Sequence, residues 1–397
     1  MSSGPVRSPL VYLDNAATSF PKPESVYQAA EHYMRRVGGN PGRSAHRLSV
    51  AAARLVYGAR ESVSQVLGIE NPDHLIFTAN ATDALNLAIV GLLKEGDHVL
   101  TSSMEHNSVM RPLRALVGEK GVELTVIACS KAGLLAVEDV SRAIQANTRL
   151  IAVVHASNVT GTLQPIAEIG ELAREHGIAF LVDAAQTVGA YPVDVRRLGV
   201  DLMAFSGHKG LFGLQGTGGL YLGEGIDLKQ IKWGGTGSAS SLDVHPTFLP
   251  DKYESGTYNT VGLAGLGAGA RFILEEGVDN IRLRERGLTQ LLLDKLAAVE
   301  GVVLYGPLDA DKQVGVVSFN VEGLEPSELG RVLDSVFGVM VRVGLQCAPH
   351  AHQTMGTFPD GTVRASVGYF NTEEEIAYLA DCVEQIVDRT SRPEDSC

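Results

Sequence analysis

The sequence predicts an α/β protein: a mostly parallel central sheet flanked by helices, followed by a smaller α+β carboxyl-terminal domain. Three observations predict it. Short β-rich runs alternate with helical spacing from Leu75 to Leu222, the pattern of a parallel sheet whose ligands sit beyond the carboxyl ends of its strands. The last third changes to longer helices around fewer strands. The 397 residues are 45% hydrophobic and 20% charged, the balance of a folded chain long enough for two domains.

In order, Val11-Tyr12 leads to Pro21-Lys-Pro23, a rigid extended stop. Val26, Ala29, Ala30 and Tyr33 have helical spacing, which breaks at Gly38 to Gly42. Leu48, Ala52, Leu55, Ala59, Val63 and Val66 then mark a long amphipathic helix. Strands are expected at 75–78, 98–101, 124–128, 150–154, 179–182, 202–205 and 219–222, with helices at 82–93, 109–117 and 165–176 among them. Gly234 to Gly256 lacks apolar periodicity and reads as a long loop, of a kind that is usually functional or disordered. Helices return at 263–274 and 281–299, followed by a strand at 316–319, a helix at 327–337, a strand at 339–343 and a closing helix at 373–387. A large domain is therefore expected over 15–260 and a small one over 261–397, the latter joined by residues 1–14.

Composition narrows the function. A formal charge of −13 argues against general nucleic-acid binding, which needs basic density. Met1 to Pro9 has no apolar core of a secretory signal, and no run approaches the ~18 apolar residues of a membrane span. Cys129, Cys347, Cys382 and Cys397 are far apart, without metal or disulfide-framework spacing. The expectation is a cytoplasmic protein with no membrane contact, no nucleic-acid partner and no metal.

The residues after each strand carry the chemistry. Ser206-Gly-His208-Lys209 follows strand 202–205 and meets the glycine-rich stretch Gly210 to Gly219, whose backbone N–H groups are able to bind phosphate. On that segment alone, a solvated lysine after a strand is the favoured reading. Ala81 and Thr82 open a helix as an anion site would, though the threonine equally reads as an ordinary cap. His106 stands at another helix start, as a site residue or a satisfied core histidine. Asn158 either donates to a ligand oxygen or stabilises a turn. Asp183 is more telling: held at the end of strand 179–182 and partly desolvated, its carboxylate wants a cationic or hydrogen-bonding partner. A protonated pyridine nitrogen is such a partner.

Asp183-x-x-Gln186 followed by Ser206-x-His208-Lys209 resembles the fold-type I pyridoxal-phosphate enzymes of aminotransferase class V. Tyr12-Leu-Asp-Asn-Ala-Ala17, Met104-Glu-His106, His155-x-Ser-Asn158-x-x-Gly161 and Glu254-Ser-Gly-Thr257-x-Asn259 narrow the resemblance to the cysteine desulfurase family. Arg342-x-Gly344-x-x-Cys347-Ala348 and Arg364-Ala-Ser366-x-x-x-x-Asn371-Thr372 match its carboxyl-terminal signatures, and the segment around Cys347 is nearer the type II, SUF-like branch. The likeness runs from about Tyr12 to the last helix.

The resemblance implies the following roles. Lys209 forms the Schiff base with pyridoxal 5′-phosphate and moves protons at the substrate's alpha and beta carbons. Asp183 keeps the pyridine nitrogen protonated, Gln186 bonds the phenolic oxygen and His106 stacks on the ring. Ala81, Thr82, Ser206 and His208 cradle the phosphate, completed by Thr257 from the other subunit of a homodimer. Arg364, assisted by Asn158, takes the carboxylate of L-cysteine, and Arg342 shapes the site. Cys347 accepts the sulfur as a persulfide while alanine leaves, supplying sulfur to an acceptor protein for iron–sulfur cluster or thio-cofactor synthesis. Taken alone, Arg364 reads as a surface ion pair and Cys347 as an ordinary thiol; a free thiol, with a pKa of about 8.5, needs proton removal or nearby positive charge to react at neutral pH.

Two departures stand out. Gly344-Leu345-Gln346 replaces the common Gly-His-His, and Phe212-Gly213-Leu214 replaces Tyr-Gly-Pro. Rival readings are a selenocysteine lyase, a cystine or cysteine-sulfinate lyase, a class V aminotransferase, and a non-catalytic sulfur-carrier scaffold. Gly262-x-x-Gly265-x-Gly267-x-Gly269 does not match a dinucleotide fingerprint. His350-x-His352 reads as a loop pair rather than a metal site. Cys382, on a stripe with Leu379, Val383 and Ile386, reads as core.

Overall fold

The structure is a computed structural model that describes residues 10–42, 46–238, 241 and 243–391; the expectations placed on Met1 to Pro9 and on Cys397 lie outside these. After β1 (Val11–Tyr12), α1 (Glu24–His32) and α2 (Arg47–Leu67) comes the alternating stretch. It comprises β2 (Leu75–Thr78), α3 (Ala81–Leu92), β3 (His98–Ser102), α4 (Asn107–Lys120), β4 (Glu123–Ile127) and α5 (Val137–Ala143). It continues with β5 (Thr148–Val154), α6 (Ile166–His176), β6 (Ala179–Asp183), β7 (Leu202–Ser206) and β8 (Gly218–Leu222). Then follow α7 (Thr260–Glu276), α8 (Val278–Ala297), β9 (Val302–Tyr305), β10 (Val316–Val321), α9 (Pro326–Phe337) and β11 (Val339–Met340). The chain closes with β12 (Arg342–Gly344), α10 (Pro349–Met355), β13 (Thr362–Ser366) and α11 (Glu373–Ser391).

The large sheet has seven strands in the order β2-β8-β7-β6-β5-β3-β4. Only β8 runs antiparallel to its neighbours. Side chains alternate between its faces, as the pleat requires. Phe180, Val182, Met203 and Phe205 pack under α2, α6 and α7, whereas Leu181, Leu202 and Leu220 pack under α3 and α4. The chain winds outward in one direction from β3 to β4 and in the other from β5 to β7. The crevice at such a reversal, beyond the strand ends, is where ligands bind in open α/β sheets.

A second apolar cluster holds the carboxyl-terminal part: Leu292 and Leu296 of α8, Leu333 of α9 and Leu379, Cys382 and Val383 of α11 cover the antiparallel sheet β12-β13-β10-β9. Val11 and Leu13 join it, and β1 pairs with β11 in parallel, Val11 opposite Val339. The expected boundary at residue 261 falls inside α7, whose Leu263, Leu266 and Ile273 belong to the first cluster. The glycines that matched no nucleotide motif explain why. A Cβ at Gly267 would stand 2.9 Å from Ala59 Cα, and one at Gly269 would stand 2.2 Å from the Leu211 carbonyl oxygen. Small residues thus seat α7 directly on α2 and on the loop after Lys209.

Three expectations are corrected. The strand expected at 339–343 is two: Val339–Met340 pairs with β1, and Arg342–Gly344 crosses to β13. His350 and His352 lie in α10, not in a loop, and no group of metal-ligating residues forms among the described residues. The strands β9 and β13 and the short helices α5 and α10 were not anticipated, being too brief or too polar to show a period. No described helix is long and apolar enough to cross a membrane.

One buried ion pair fastens the long loop before α7. Arg60 of α2 meets both carboxylate oxygens of Glu254 at 2.8 and 2.7 Å, and Glu254 also accepts from Phe77 N and Tyr258 Oη. Removing one partner of such a pair strands a buried charge. Glu254→Ala should therefore lower the unfolding free energy by about 3–5 kcal/mol, measured by denaturant titration; a change near zero would show that the pair is dispensable.

Candidate active site

Lys209 follows β7 directly, on a turn whose glycine is sterically required: a Cβ at Gly210 would stand 2.6 Å from the Val188 carbonyl oxygen. Phe212 N–H donates to the Lys209 carbonyl, and Gly213 N–H to that of Gly207. Phe212 adopts φ 56° and buries its ring against Phe272 and Phe370, at centroid distances of 5.6 and 5.9 Å. That aromatic contact fixes the loop two residues before Leu214. From the amino-terminal side, Ser19 N–H and Thr18 Oγ1 donate to the His208 carbonyl at 3.1 and 3.0 Å. Gln186 Nε2 donates to the Ala16 carbonyl at 3.1 Å.

Asp183 ends β6, buried, with Oδ1 accepting from Ala185 N–H at 3.0 Å. Burial raises its carboxyl, opposed by that N–H and by Lys209. Burial also holds the Lys209 amine down to about 8; Arg364 and Arg342 push the same way, and Asp183 opposes them. Lysine and acid therefore lie within electrostatic reach of each other.

His106 caps α4. Its Nδ1 accepts the Ser108 N–H at 3.1 Å, so the proton of the neutral ring is on Nε2. Burial, with Lys209, Arg111 and Arg364 nearby, pushes the imidazole down to about 4; it is neutral at pH 7. Ser108 Oγ bonds both His106 Nδ1 and Thr82 Oγ1, at 2.9 and 2.8 Å. Ala81 N–H, in the first turn of α3, donates to Ser206 Oγ at 3.3 Å. His106, Thr82, Ala81 and Ser206 are thus one assembly around a helix start, where oriented N–H groups favour an anion.

The substrate side is built by the small sheet. The register of β12 and β13 sets Arg342 opposite Arg364. Asp14 lies between them: Oδ1 accepts from Arg364 Nη2 at 2.9 Å, and Oδ2 from Arg342 Nη2 at 2.7 Å. Arg364 is buried, not a surface ion pair, and its Nη1 donates to the Asn158 carbonyl at 2.9 Å. Asn158 Nδ2 in turn donates to the Gln346 carbonyl at 2.7 Å, so its amide serves the Cys347 loop. Gln346 and Cys347 have φ of 42° and 59°, left-handed values that cost non-glycine residues about 1–3 kcal/mol each.

The Cys347 carbonyl accepts from Asn107 N–H at 2.8 Å, one residue from His106, and its side chain is exposed. Where relatives carry a second imidazole, the Gln346 amide bonds His352 Nε2 at 2.8 Å and the Thr362 carbonyl at 3.0 Å.

Of the expected residues, Lys209 lies within electrostatic reach of Asp183 and His106 and lines a cavity with Gln186. Ala81 meets Ser206, beside His208, and Thr82 joins His106 through Ser108. Arg364 and Arg342 share Asp14, and Arg364 and Asn158 form a hydrogen-bonded run to the residue before Cys347. Thr257 stands apart, exposed on the wall of a cavity of about 440 Å³ with Ala79, Asp83 and Asn86. Asp14 and Ser108 had been given no role. Asp14 lay within a quoted motif, but only the fold brings it to two arginines more than three hundred residues away.

The donor set fits a phosphorylated pyridine. A buried acid would suit a protonated ring nitrogen, a helix start with Ser206 and His208 would suit a phosphate, and a lysine amine held down to about 8 would suit a carbonyl carbon. His208 Nδ1, Asn158 Oδ1 and Arg364 Nε are buried without a hydrogen-bond partner among the described residues, which suits a site completed by a polar ligand. Fold and site define an enzyme of covalent lysine chemistry on a phosphorylated cofactor.

Comparison with known proteins agrees. The aminotransferase class-V family model matches residues 11–379, and the chain belongs to that family, whose members use pyridoxal phosphate. A probable cysteine desulfurase of Halalkalibacterium halodurans is 38% identical over 387 residues, 95% of this chain and 93% of the relative. A cysteine desulfurase of Escherichia coli is 35% identical over 387 residues, 95% of this chain and 93% of the relative. Among solved structures, the cysteine desulfurase of Thermococcus onnurineus superposes with a TM-score of 0.90 at 34% identity, covering 96% of this chain and 95% of that one.

The depressed lysine gives a direct test. In cofactor-free protein, acetylation of Lys209 should rise with pH through a midpoint of about 8 rather than 10.5. Asp183→Asn should move the midpoint lower still, because the aspartate charge raises it. A midpoint unmoved from that of an exposed lysine would place Lys209 in solvent.

Proposed function

We propose that this protein is a cysteine desulfurase that converts L-cysteine to L-alanine and takes the sulfur onto Cys347 as a persulfide. The observation that carries the reading is one continuous chain of hydrogen bonds. It runs from Arg364 through Asn158 to Gln346, and from Cys347 to the residue after His106. A carboxylate-binding cation, a thiol and a ring-stacking histidine are thereby held in fixed relation.

When bound, pyridoxal phosphate supplies the electron sink that makes a substrate C–H acidic. Asp183 holds the proton on the ring nitrogen, and Ala81, Thr82, Ser206 and His208 hold the phosphate. Gln186 bonds the ring's phenolic oxygen, and neutral His106 lies on the ring face. Arg364 binds the substrate carboxylate. Lys209, whose amine is held down to about 8, would remove the proton from Cα and return protons to Cβ and to Cα. The Cys347 thiolate would attack the substrate sulfur: an S–S bond forms, and the C–S bond breaks with its electron pair left on the carbon skeleton. Cβ and Cα are both protonated as alanine leaves, one of those protons being the one given up by the Cys347 thiol. Left-handed backbone at Cys347 and its exposure suit a thiol that takes sulfur in the crevice and then presents it outward to an acceptor protein, for iron–sulfur cluster assembly or another sulfur-requiring synthesis.

Two finer readings accompany this one. The exposed Thr257 supports a homodimer in which it completes the partner's phosphate cup. The three cysteines among the described residues are free, which supports work in the cytoplasm, a reducing compartment.

Purified protein should show the visible absorbance of bound pyridoxal phosphate, lost in Lys209→Ala. With L-cysteine and a reductant it should release alanine and sulfide in equal amounts, and Cys347→Ser should abolish both. Pyruvate and ammonia as products would instead mark a β-lyase, and colourless, inert protein a sulfur-carrier scaffold.

A further inference from the structure

We infer that Asp14 sets the charge specificity of the site: by neutralising one of two facing guanidiniums, it fits the site to amino acids with a single carboxylate and disfavours those with a second anionic group. The inference rests on the carboxylate-binding role given to Arg364 above. The β12–β13 register puts Arg342 directly opposite Arg364, and like charges so placed repel. With Asp14 between them the cluster carries one net positive charge; without it, two.

The two arginines differ in their freedom. The Arg364 side chain is 3% exposed and fixed, but that of Arg342 is 48% exposed. Arg342 is engaged by Asp14 through Nε, at 3.1 Å to each oxygen, as well as through Nη2. It also lies within electrostatic reach of Cys347. A substrate held at Arg364 with its side chain toward Cys347 therefore presents that side chain to Arg342. While Asp14 occupies the Arg342 guanidinium, a β-anion on the ligand meets the Asp14 carboxylate instead of a free cation. Asp14 cannot readily swing away, because it sits at the end of β1 and bridges Ser366. Nothing in the chemistry of sulfur transfer needs this carboxylate. A purely mechanical role, tying β1 to β13, is the alternative.

The test titrates holoenzyme with L-alanine and with L-aspartate, following the cofactor absorbance. In Asp14→Asn, aspartate binding should improve relative to alanine by about tenfold, the worth of one uncompensated charge at partly screened distance. The double variant Asp14→Asn with Arg342→Gln, which restores the original net charge, should return to the wild-type ratio. In cofactor-free Asp14→Asn, carboxamidomethylation of Cys347 at neutral pH, followed by mass spectrometry, should be faster, because the released Arg342 favours thiolate. An unchanged ratio, or equal weakening of both ligands, would overturn the inference and leave Asp14 a mechanical tie. Should Asp14→Asn fail to fold, Arg342→Gln alone decides: aspartate should weaken relative to alanine, and an unchanged ratio overturns the inference. Wild-type protein that binds both amino acids but does not desulfurate L-cysteine refutes the desulfurase reading alone. If it responds to neither amino acid, both fall.

Discussion

Two arginines facing each other across a two-strand ladder, with a single carboxylate between them, is the arrangement on which the rest of the site depends. Neither guanidinium is placed by its own neighbours in sequence. Arg342 comes from a strand of three residues, Arg364 from the centre of a small sheet, and Asp14 from the segment that follows β1. The triad therefore forms only when the amino-terminal segment docks on the carboxyl-terminal part. The same segment continues to Ala16, which accepts from Gln186, and to Thr18 and Ser19, which hold the His208 carbonyl. One stretch of about six residues thus couples the two facing arginines to the lysine turn. Its motif would otherwise read as a simple connection.

The two halves of the site are held by different physics. On the lysine side, strands buried on both faces deliver Asp183 and Ser206, and close-packed backbone at Gly210 leaves no room for alternative turns. Displacing that lysine would require repacking the large core. On the cysteine side, the loop is held by hydrogen bonds to carbonyls, from Asn158 and Asn107, against unfavourable backbone at two successive residues. Individual hydrogen bonds contribute about 0.5–1.5 kcal/mol, close to the strain they oppose. On the proposed function, such a balance would suit a thiol that has to be placed for attack and then pass its sulfur on. A cofactor anchor has no corresponding need.

Much of this was legible in the residues, for identifiable reasons. The long helices and every strand of the large sheet announced themselves by period and by β-branched runs. The residues after each parallel strand end could be collected as site candidates without coordinates, because the topology itself sends strand ends to one crevice. Asp183 was readable on those grounds. Ser108 and Asp14 were not, since a serine in the first turn of a helix and an aspartate after a two-residue strand carry no periodic signal. The split at Val341 and the seating of α7 were hidden for a related reason. Both are decided by which distant surface the chain meets, Val339 by β1 and the α7 glycines by α2.

Gln346 shows how a departure from a family pattern is absorbed. An imidazole at that position would offer one donor and one acceptor; the amide offers both and uses them, accepting from His352 Nε2 and donating to the Thr362 carbonyl. His352 is itself fully buried, pushed down to about 4 by burial, and bonded to Thr357 through Nδ1. It is therefore neutral, and the run Thr357–His352–Gln346–Thr362 holds no mobile charge near physiological pH. Beside Cys347 there is thus a neutral strut, with a histidine six residues later completing it inside the protein. The positive charge near Cys347 then comes from Arg342, whose guanidinium stays protonated and lies within electrostatic reach of the thiol. The thiol's reactivity in this chain is thus tied to the same arginine that Asp14 holds in place.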